Sequence, residues 1–470
     1  MQRGCPQVQC KEKKKPPLAR GERVTLEIDG LNHAGEGVGH ADGFTVFVPG
    51  AAPGDLVTAE VISVKPEYAR AVPLNIERPS PQRVEPCCSY FGRCGGCRLQ
   101  HIDYAEQLRL KRKIVAETLR RIGGLEIEVV PVLGMSEPWR YRNKYQAPVS
   151  AENGQVKIGL YEPRSHRVVE LTQCAIQHPA GCRAINAARQ ALQELRIPAY
   201  DEQSRRGVVR HIIARTSFAS GEVLLALVTY GWELPRAAQL VELLRRRVEK
   251  LAGIVQNINP HPGNVILGQE ELTLWGRPYV VEKLGELSFR VSARSFFQVN
   301  PVQAQALYGL VRRLAGLTGR ETVFDLYCGI GTIALHLAGG AAQVIGVESV
   351  SAAVEDARTN AALNGIDNAV FLVGRAEEEV PKLLHSGRRA GVVVLNPPRK
   401  GCAPELLDVV AWAAPERIIY ISCNPATLGR DLKILAAAGY PAREVYPVDM
   451  FPHTSHVECV VLMSKIEKQA

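Results

Sequence analysis

Short apolar stretches separated by turn residues fill positions 21–76. The stretches VTLEI, FTVFVP and LVTAEVISV alternate or run apolar, and the turns GEGVGHADG and GAAPGD separate them. About five short strands in about sixty residues are typical of a small β-barrel of the OB type. The Pro-rich segment RPSPQRVEP then reads as a linker.

A different pattern follows the linker. From Tyr104 to Ile122, Leu and Ile recur every three or four positions before Gly123-Gly124, which predicts a helix. Between Leu125 and Ser292, the strand-like VLLALVTY and the helix-like AAQLVELLRRRVEKL predict a mixed α+β region. The periodicity of this middle region assigns no chemistry to it.

Regular strand–helix alternation begins at Glu321. The apolar runs are TVFDLYC, AQVIGVES, AVFLVGR, GVVVLNPP and RIIYISC, each followed by a helix-like segment. This alternation predicts an α/β, doubly wound, Rossmann-like parallel sheet. Ligands of such sheets bind at the carboxyl ends of the strands, so the residues just after these runs are the candidates for function.

The ends of the first two runs indicate a nucleoside site. Residues 325–332, DLYCGIGT, contain glycines that allow a tight turn and a close approach to a ligand. Glu348 ends the next run, seventeen residues after Gly331, where a carboxylate can accept the ribose hydroxyls of adenosine. The segment lacks both the Gly-x-Gly-x-x-Gly spacing and Gly-Lys-Ser/Thr. S-adenosylmethionine, which has no phosphate, is therefore favoured over NAD or ATP.

The fourth and fifth runs end in NPPRKG, beginning at Asn396, and in SCNP, which contains Cys423. Farther on, Glu458 precedes a final apolar strand, CVVLM. A lone cysteine here is more often a small buried apolar residue, and a lone carboxylate a surface group. One thiol and one base at the edge of a nucleoside-binding sheet, however, suit methylation of uracil carbon 5. Thiolate addition at carbon 6 makes carbon 5 nucleophilic toward a sulfonium methyl, and the base then removes the carbon 5 proton.

The charge balance and the lengths of the apolar runs add two further expectations. The 57 Lys and Arg against 48 Asp and Glu give +9, a modest lean toward a polyanionic partner. Basic residues cluster in the N-terminal tail, at 109–121, at Arg140, Arg142 and Lys144, and at 245–247, although each cluster alone is typical of a solvated surface. No apolar run approaches the roughly 20 residues of a membrane span, and the N-terminus has no apolar signal region, so a cytoplasmic protein is expected.

Twelve cysteines without an export signal favour metal binding or catalysis over disulfides. Cys87, Cys88, Cys94 and Cys97 lie in CCSYFGRCGGC, and Cys174 lies farther along the chain. Such thiolates could hold zinc or a [4Fe–4S] cluster, and the spacing does not decide between them. Cys5 and Cys10 have no assigned role.

The C-terminal third resembles the RNA uracil-5-methyltransferases, specifically the branch with an N-terminal TRAM domain and an iron–sulfur cluster. The matching stretches are SFFQVNP, DLYCGIG, the strand-end Glu348, NPPRKG, YISCNPATLGRD and MFPHTSHVE. The N-terminal barrel and the cysteines extend the resemblance over nearly the whole chain.

The resemblance implies a role for each candidate residue. Cys423 would be the nucleophile and Glu458 the base, and the cofactor contacts would come from Gln298, Tyr327, Glu348 and Asn396. Asn396 departs from the Asp that is usual in the family, keeping an acceptor oxygen but losing the charge. The resemblance selects Cys88, Cys94, Cys97 and Cys174 as ligands of a [4Fe–4S] cluster, and it implies that the TRAM barrel binds RNA.

Three domains are predicted: a TRAM barrel at 17–77, a central domain with the cluster at 78–98 and 125–292, and a methyltransferase domain at 99–124 and 293–470. The resemblance favours 23S ribosomal RNA as substrate, with the T-loop uridine of tRNA as the alternative, and a monomer is expected.

Other classes of protein fit the sequence less well. Asn-Pro-Pro occurs in amino-group methyltransferases of adenine or cytosine, but these need no cysteine nucleophile and have an aromatic residue where Arg399 stands. Radical methylthiotransferases combine TRAM with three cysteines, but with separations of three and two residues rather than five and two. An iron–sulfur RNA-binding protein with a vestigial methyltransferase domain would have lost site residues, and Asn396 is the only departure.

Overall fold

The computed structural model describes residues 16–465, so Cys5, Cys10 and most of the basic tail lie outside the described residues. The contacts divide the chain into two units. One comprises the residues up to Pro86 together with Arg98–Leu110, and the other comprises Cys87–Cys97 together with Lys111 and the residues after it. The boundaries of the three predicted domains stay a prediction.

The first unit contains a closed barrel in the strand order β1-β2-β3-β5-β4. Alternate side chains of β1 are buried, as the period of two in VTLEI predicts. The predicted OB-like barrel is confirmed. Its strands are β1 (Arg23–Leu31), β2 (Glu36–Ala41), β3 (Phe44–Pro49), β4 (Leu56–Val64) and β5 (Tyr68–Arg78).

Helix α1 (Tyr104–Thr118) follows, then a π-helical turn (Leu119–Gly123) and strand β6 (Glu128–Val129). The predicted glycine stop is present, because Gly124 caps the turn with a φ of 63°. Val115 and Leu119 are buried in the same apolar core as the buried strands of the C-terminal sheet.

The middle region is a mixed sheet in the order β13-β12-β11-β10-β7-β8-β9, followed by a hairpin of β14 and β15. The predicted α+β character is confirmed. The elements are β7 (Lys144–Glu152), β8 (Gln155–Tyr161), β9 (Val168–Glu170), α2 (Pro179–Glu194), β10 (Val209–Thr216), β11 (Val223–Thr229), α3 (Ala237–Arg247), β12 (Leu251–Ile258), β13 (Glu270–Gly276), β14 (Tyr279–Leu284) and β15 (Leu287–Ser292).

The C-terminal region is a sheet in the order β18-β17-β16-β19-β20-β22-β21-β6, parallel from β18 to β20. The predicted doubly wound sheet is confirmed. Its elements are α4 (Pro301–Ala315), β16 (Thr322–Leu326), α5 (Thr332–Ala338), β17 (Gln343–Glu348), α6 (Ser351–Leu363), β18 (Ala369–Val373), α7 (Ala376–His385), β19 (Val392–Leu395), α8 (Pro404–Ala413), β20 (Arg417–Ser422), α9 (Pro425–Ala437), β21 (Ala442–Val448) and β22 (Glu458–Ser464).

The strand order reverses at β16, which pairs with β17 on one side and β19 on the other. A crevice forms at the carboxyl ends of the strands at such a reversal, and ligands bind there. Antiparallel β22 lies beside β20, so the first residue of β22 lies at the same sheet edge as the last residue of β20. Within residues 16–465, no helix is long and apolar enough to cross a membrane.

Candidate active site

One cavity of about 770 Å³ opens at the carboxyl ends of β16, β17, β19 and β20. Its volume is in the usual range for a site that binds a small molecule. All six residues that the sequence proposes for catalysis and cofactor contact line this cavity: Gln298, Tyr327, Glu348, Asn396, Cys423 and Glu458. These residues come from six separate segments, so only the fold brings them together.

The turn after β16 forms one wall of the cavity. Gly331 has a φ of 83° and precedes α5, and a Cβ there would meet the Phe371 ring at 3.0 Å, so the turn needs glycine. Tyr327 has a φ of 68°, which is strained for a residue with a side chain. Strain of this kind persists only where surrounding contacts hold the backbone in place.

Glu348 fixes the neighbouring strand end to this turn. Its Oε2 accepts a hydrogen bond from the amide of Gly329 at 3.2 Å, and its Oε1 accepts one from the amide of Val350 at 2.9 Å. The carboxylate remains part of the cavity wall. A carboxylate beside a glycine turn without the Gly-Lys-Ser/Thr phosphate-binding sequence suits the ribose hydroxyls of an adenosine, so these residues fit S-adenosylmethionine.

Cys423 and Glu458 face each other across two antiparallel strands. Ser422 at the end of β20 pairs with Cys459 in β22, and one further step of the same register places Cys423 opposite Glu458. Opposite residues of an antiparallel pair project their side chains on the same side of the sheet, with Cβ atoms about 5 Å apart. A thiol and a carboxyl group therefore share one wall of the cavity.

Burial keeps both groups in their neutral forms near pH 7. Burial raises the pKa of Glu458 to about 8. The pKa of Cys423 rises to about 11, first because of burial and then because of the nearby Glu458 carboxylate, while the Arg399 guanidinium opposes the shift. Cys423 also precedes Asn424, the N-cap of α9, where the helix dipole favours an anion.

The loop that carries Arg399 is tied to the start of α9. The carbonyl oxygen of Arg399 accepts hydrogen bonds from Asn424 Nδ2 at 3.0 Å and from Thr427 Oγ1 at 3.3 Å. The guanidinium lines the cavity. The start of α9, which follows Cys423, therefore also positions the guanidinium that opposes the rise in the pKa of Cys423.

A set of four buried side chains holds the segment that leads to Glu458. Each donates a hydrogen bond to one of four successive backbone carbonyls, at 3.0–3.2 Å. The pairs are Gln303 to Asp449, Asn300 to Met450, Lys111 to Phe451 and Tyr141 to Pro452. We call these four donors the carbonyl clamp. Phe451 lines the cavity, so the clamp fixes part of its wall.

Sequence reasoning assigned no role to the clamp or to Arg399. Asn300 and Arg399 stand inside matched motifs, two residues after Gln298 and three after Asn396, so their position was a usable signal. Lys111 and Tyr141 lie far from these motifs in sequence. Only the folded chain shows that they reach the same loop.

The predicted cluster ligands are less completely assembled. Burial first, and then the neighbouring Cys174 and Cys88, raise the pKa of Cys94 to about 11. The amide of Gly96 donates to Cys94 Sγ at 3.4 Å. In the described part of the chain, no three or more His, Cys, Asp or Glu side chains are grouped so that they could hold a metal ion. The thiol donors fit a [4Fe–4S] cluster chemically, and the cluster itself stays a prediction.

Comparison with known proteins gives concordant matches. Residues 103–466 match the family described as tRNA (Uracil-5-)-methyltransferase, and residues 17–74 match the TRAM domain. Uncharacterised RNA methyltransferases of Clostridium acetobutylicum and Halalkalibacterium halodurans are each 45% identical to the chain, over 455 and 452 residues, covering 96% of this chain and 99% of each relative. The solved Pyrococcus abyssi tRNA (uracil-54, C5)-methyltransferase, in complex with S-adenosyl-L-homocysteine, is 29% identical with a TM-score of 0.75, covering 93% of this chain and 99% of that one.

Proposed function

Because the chain belongs to the tRNA (uracil-5-)-methyltransferase family, we propose that it forms 5-methyluridine with Cys423 as nucleophile and Glu458 as base. S-adenosylmethionine as methyl donor and RNA as substrate class follow from the family and from the TRAM domain. The observation that carries the proposal is the placement of Cys423 and Glu458 on one wall of a cavity that also contains Glu348.

The two groups act in sequence. The Cys423 thiolate adds to carbon 6 of the uracil ring, which places an enolate charge on the base and makes carbon 5 a nucleophile. Bound S-adenosylmethionine would supply the electrophilic methyl group to carbon 5, with its sulfur–methyl bond breaking to leave S-adenosylhomocysteine. The Glu458 carboxylate then removes the carbon 5 proton, and the carbon–sulfur bond breaks to regenerate the thiolate. Arg399 stabilises the thiolate when it is free.

Cofactor contacts are proposed for Gln298, Tyr327, Glu348 and Asn396. Glu348 would accept hydrogen bonds from the ribose hydroxyls. Gln298 is buried and belongs to the segment SFFQVNP, which precedes the glycine turn in the sequence. Asn396 can accept hydrogen bonds through its amide oxygen but lacks the negative charge of the aspartate usual in the family.

Large-subunit ribosomal RNA is the proposed substrate, on the basis of the resemblance to the TRAM and iron–sulfur branch. A tRNA T-loop uridine is the second candidate, because the similar Pyrococcus abyssi structure is named as a tRNA (uracil-54, C5)-methyltransferase. Either target must leave its base stack to reach Cys423, which favours an unpaired uridine.

Trapping with 5-fluorouridine-substituted RNA tests the reaction and the substrate together. Fluorine at carbon 5 cannot be removed as a proton, so the enzyme, RNA and cofactor should stall as a covalent adduct that survives denaturing electrophoresis. Ribosomal and transfer RNA are tested in parallel. Cys423→Ala should abolish the adduct, whereas Glu458→Gln should accumulate an adduct even with unsubstituted RNA, because the proton cannot leave. The absence of any adduct with protein that binds S-adenosylhomocysteine would overturn the mechanism.

A [4Fe–4S] cluster on Cys88, Cys94, Cys97 and Cys174 is also proposed. Because the methyl transfer requires no electron, the cluster would have a structural or RNA-positioning role. Iron and sulfide analysis of anaerobically purified protein should give about four of each per chain, and Cys97→Ser should lower both. Cys87→Ser is the matched control, since Cys87 is the neighbouring thiol outside the proposed set. Unchanged iron in Cys97→Ser, or stoichiometric zinc in the native protein, would contradict the proposal.

A further inference from the structure

Three cations lie together at one end of the middle sheet. Lys144 begins β7 and pairs directly with Arg215 of β10 in the antiparallel ladder, so the two side chains lie on the same face. Arg142 precedes Lys144 by two residues, and its charge lowers the pKa of Lys144. Ile213, on the same face of β10 as Arg215, packs in a core that includes Phe297. Lys144 and Arg215 therefore lie on the face of this sheet that packs in the same core as Phe297.

Among the residues that the structure describes, no carboxylate balances these cations. Arg215 is 3% exposed, and none of the three takes part in an ion pair within residues 16–465. The Nε of Arg215 is buried without a hydrogen-bond partner. Burial first, and then the charges of Arg215 and Arg142, lower the pKa of Lys144 to about 7. Buried cations of one sign are costly to keep together unless an anion joins them.

Short connections join the three cations to the proposed active site. An Nη2 hydrogen of Arg215 is donated to the carbonyl oxygen of Ser295. The next residue, Phe296, lines the cavity and is 69% exposed. Asn143, between Arg142 and Lys144, donates from its amide side chain to the carbonyl of Gln298 at 3.1 Å and from its backbone to that of Val299 at 2.8 Å. Gln298 and Val299 also line the cavity.

We propose that Arg142, Lys144 and Arg215 form a phosphodiester-binding site that holds the RNA backbone beside the target uridine. The inference rests on the proposed function, because it takes RNA as the ligand of the neighbouring cavity. A uridine that enters the cavity leaves its flanking phosphates outside it, on the side where Arg215 and Asn143 hold the lining segment that includes Gln298. Guanidinium groups bind phosphate oxygens in pairs, and the ammonium of Lys144 adds a point charge. A bound phosphate also supplies the missing anion.

Binding of a fluorescent single-stranded ten-nucleotide oligouridylate to the full chain, loaded with S-adenosylhomocysteine, tests the site. Lys144→Gln should weaken binding about tenfold, the equivalent of roughly 1.4 kcal/mol. The slope of log affinity against log salt should fall by about 0.7, as expected when one single-strand phosphate contact is lost. Lys144→Arg should restore both values. Arg246→Gln, which removes an exposed cation on α3, should leave both values unchanged.

Calorimetric titration with S-adenosylhomocysteine separates the two possible anions. Unchanged affinity for this compound, with weaker RNA binding, supports the phosphate site. Weaker binding of S-adenosylhomocysteine by Lys144→Gln would show that the cations bind the carboxylate of the cofactor, and would overturn the proposal. An RNA affinity and a salt slope equal to those of the wild type would also overturn it. If Lys144→Gln lowers the melting temperature by more than a few degrees, Arg142→Gln provides the same test. Oligouridylate binding needs no methyl transfer. If the fluorouridine adduct does not form, the proposed function is refuted but the binding result still stands.

Discussion

Replacing Glu458 by Gln tests whether burial holds the proposed base in its protonated form in the free protein. The carboxyl group is 4% exposed, and burial raises its pKa from an ordinary value of 4.5 to about 8. Glutamine keeps the size and the hydrogen-bonding capacity but cannot ionise. The variant therefore removes the ionisation of residue 458 and leaves the packing of β22 nearly unchanged.

The magnitude follows from the linkage between proton binding and folding. Because the folded protein binds this proton more tightly than the unfolded chain, the contribution of Glu458 to stability is fully present below about pH 4.5. It is lost as the pH rises toward 8. At 1.36 kcal/mol for each pKa unit, the raised pKa of Glu458 changes the free energy of unfolding by at most about 5 kcal/mol. About 4 kcal/mol of this change falls between pH 5 and pH 9.

Thermal unfolding at pH 5 and pH 9, without cofactor or RNA, measures this effect. About 1 kcal/mol corresponds to 2–4 °C for a domain of roughly 150–250 residues. The melting temperature of Glu458→Gln relative to the wild type should therefore rise by at most roughly 8–16 °C between the two pH values. Glu286→Gln, in the exposed turn between β14 and β15, is the control and should show no such change. A difference between Glu458→Gln and wild type that is independent of pH would refute the reasoning.

Three further substitutions test the supports of the site. Tyr141→Phe leaves the carbonyl of Pro452 without its donor, which should cost about 1–3 kcal/mol and slow methylation while S-adenosylhomocysteine binding, measured by calorimetry, stays unchanged. Lys111→Met removes the ammonium that pairs with the buried Asp449 and should destabilise the protein by about 3–5 kcal/mol in chemical denaturation; adding Asp449→Leu should recover most of this loss. Gly331→Ala forces a side chain into a left-handed conformation against Phe371, and should cost at least about 1–2 kcal/mol and weaken S-adenosylhomocysteine binding.

The elements of the fold could be predicted because their signals are local. Alternation in VTLEI matches the alternating burial of β1, and the five apolar runs after Glu321 match the parallel strands β16 to β20. Residues just after parallel strands share one sheet edge in any doubly wound sheet, so Glu348, Asn396 and Cys423 could be placed near one another in advance.

The remaining geometry depends on pairings between distant segments. Period-two alternation shows that a strand exists but not which strand it joins, so the position of β22 between β20 and β21 cannot be read from CVVLM. That pairing is what places Glu458 opposite Cys423. In the same way, Lys111 and Arg142 read as members of surface charge clusters, whereas the fold buries Lys111 on Asp449 and partly buries Arg142 beside two other cations.

The proximity of Cys423 and Glu458 also orders their proposed roles in time. The carboxylate raises the pKa of the thiol, so two adjacent anions are disfavoured in a buried site and the pair carries at most one charge readily. Thiolate attack therefore fits a neutral Glu458. Once the sulfur is bonded to carbon 6 and methyl transfer has neutralised the enolate, no anion remains beside Glu458. Glu458 then loses its proton to water more easily and is a carboxylate at the step that needs a base. When Glu458 takes the carbon 5 proton it becomes neutral again, and the departing Cys423 can carry the charge with Arg399 nearby.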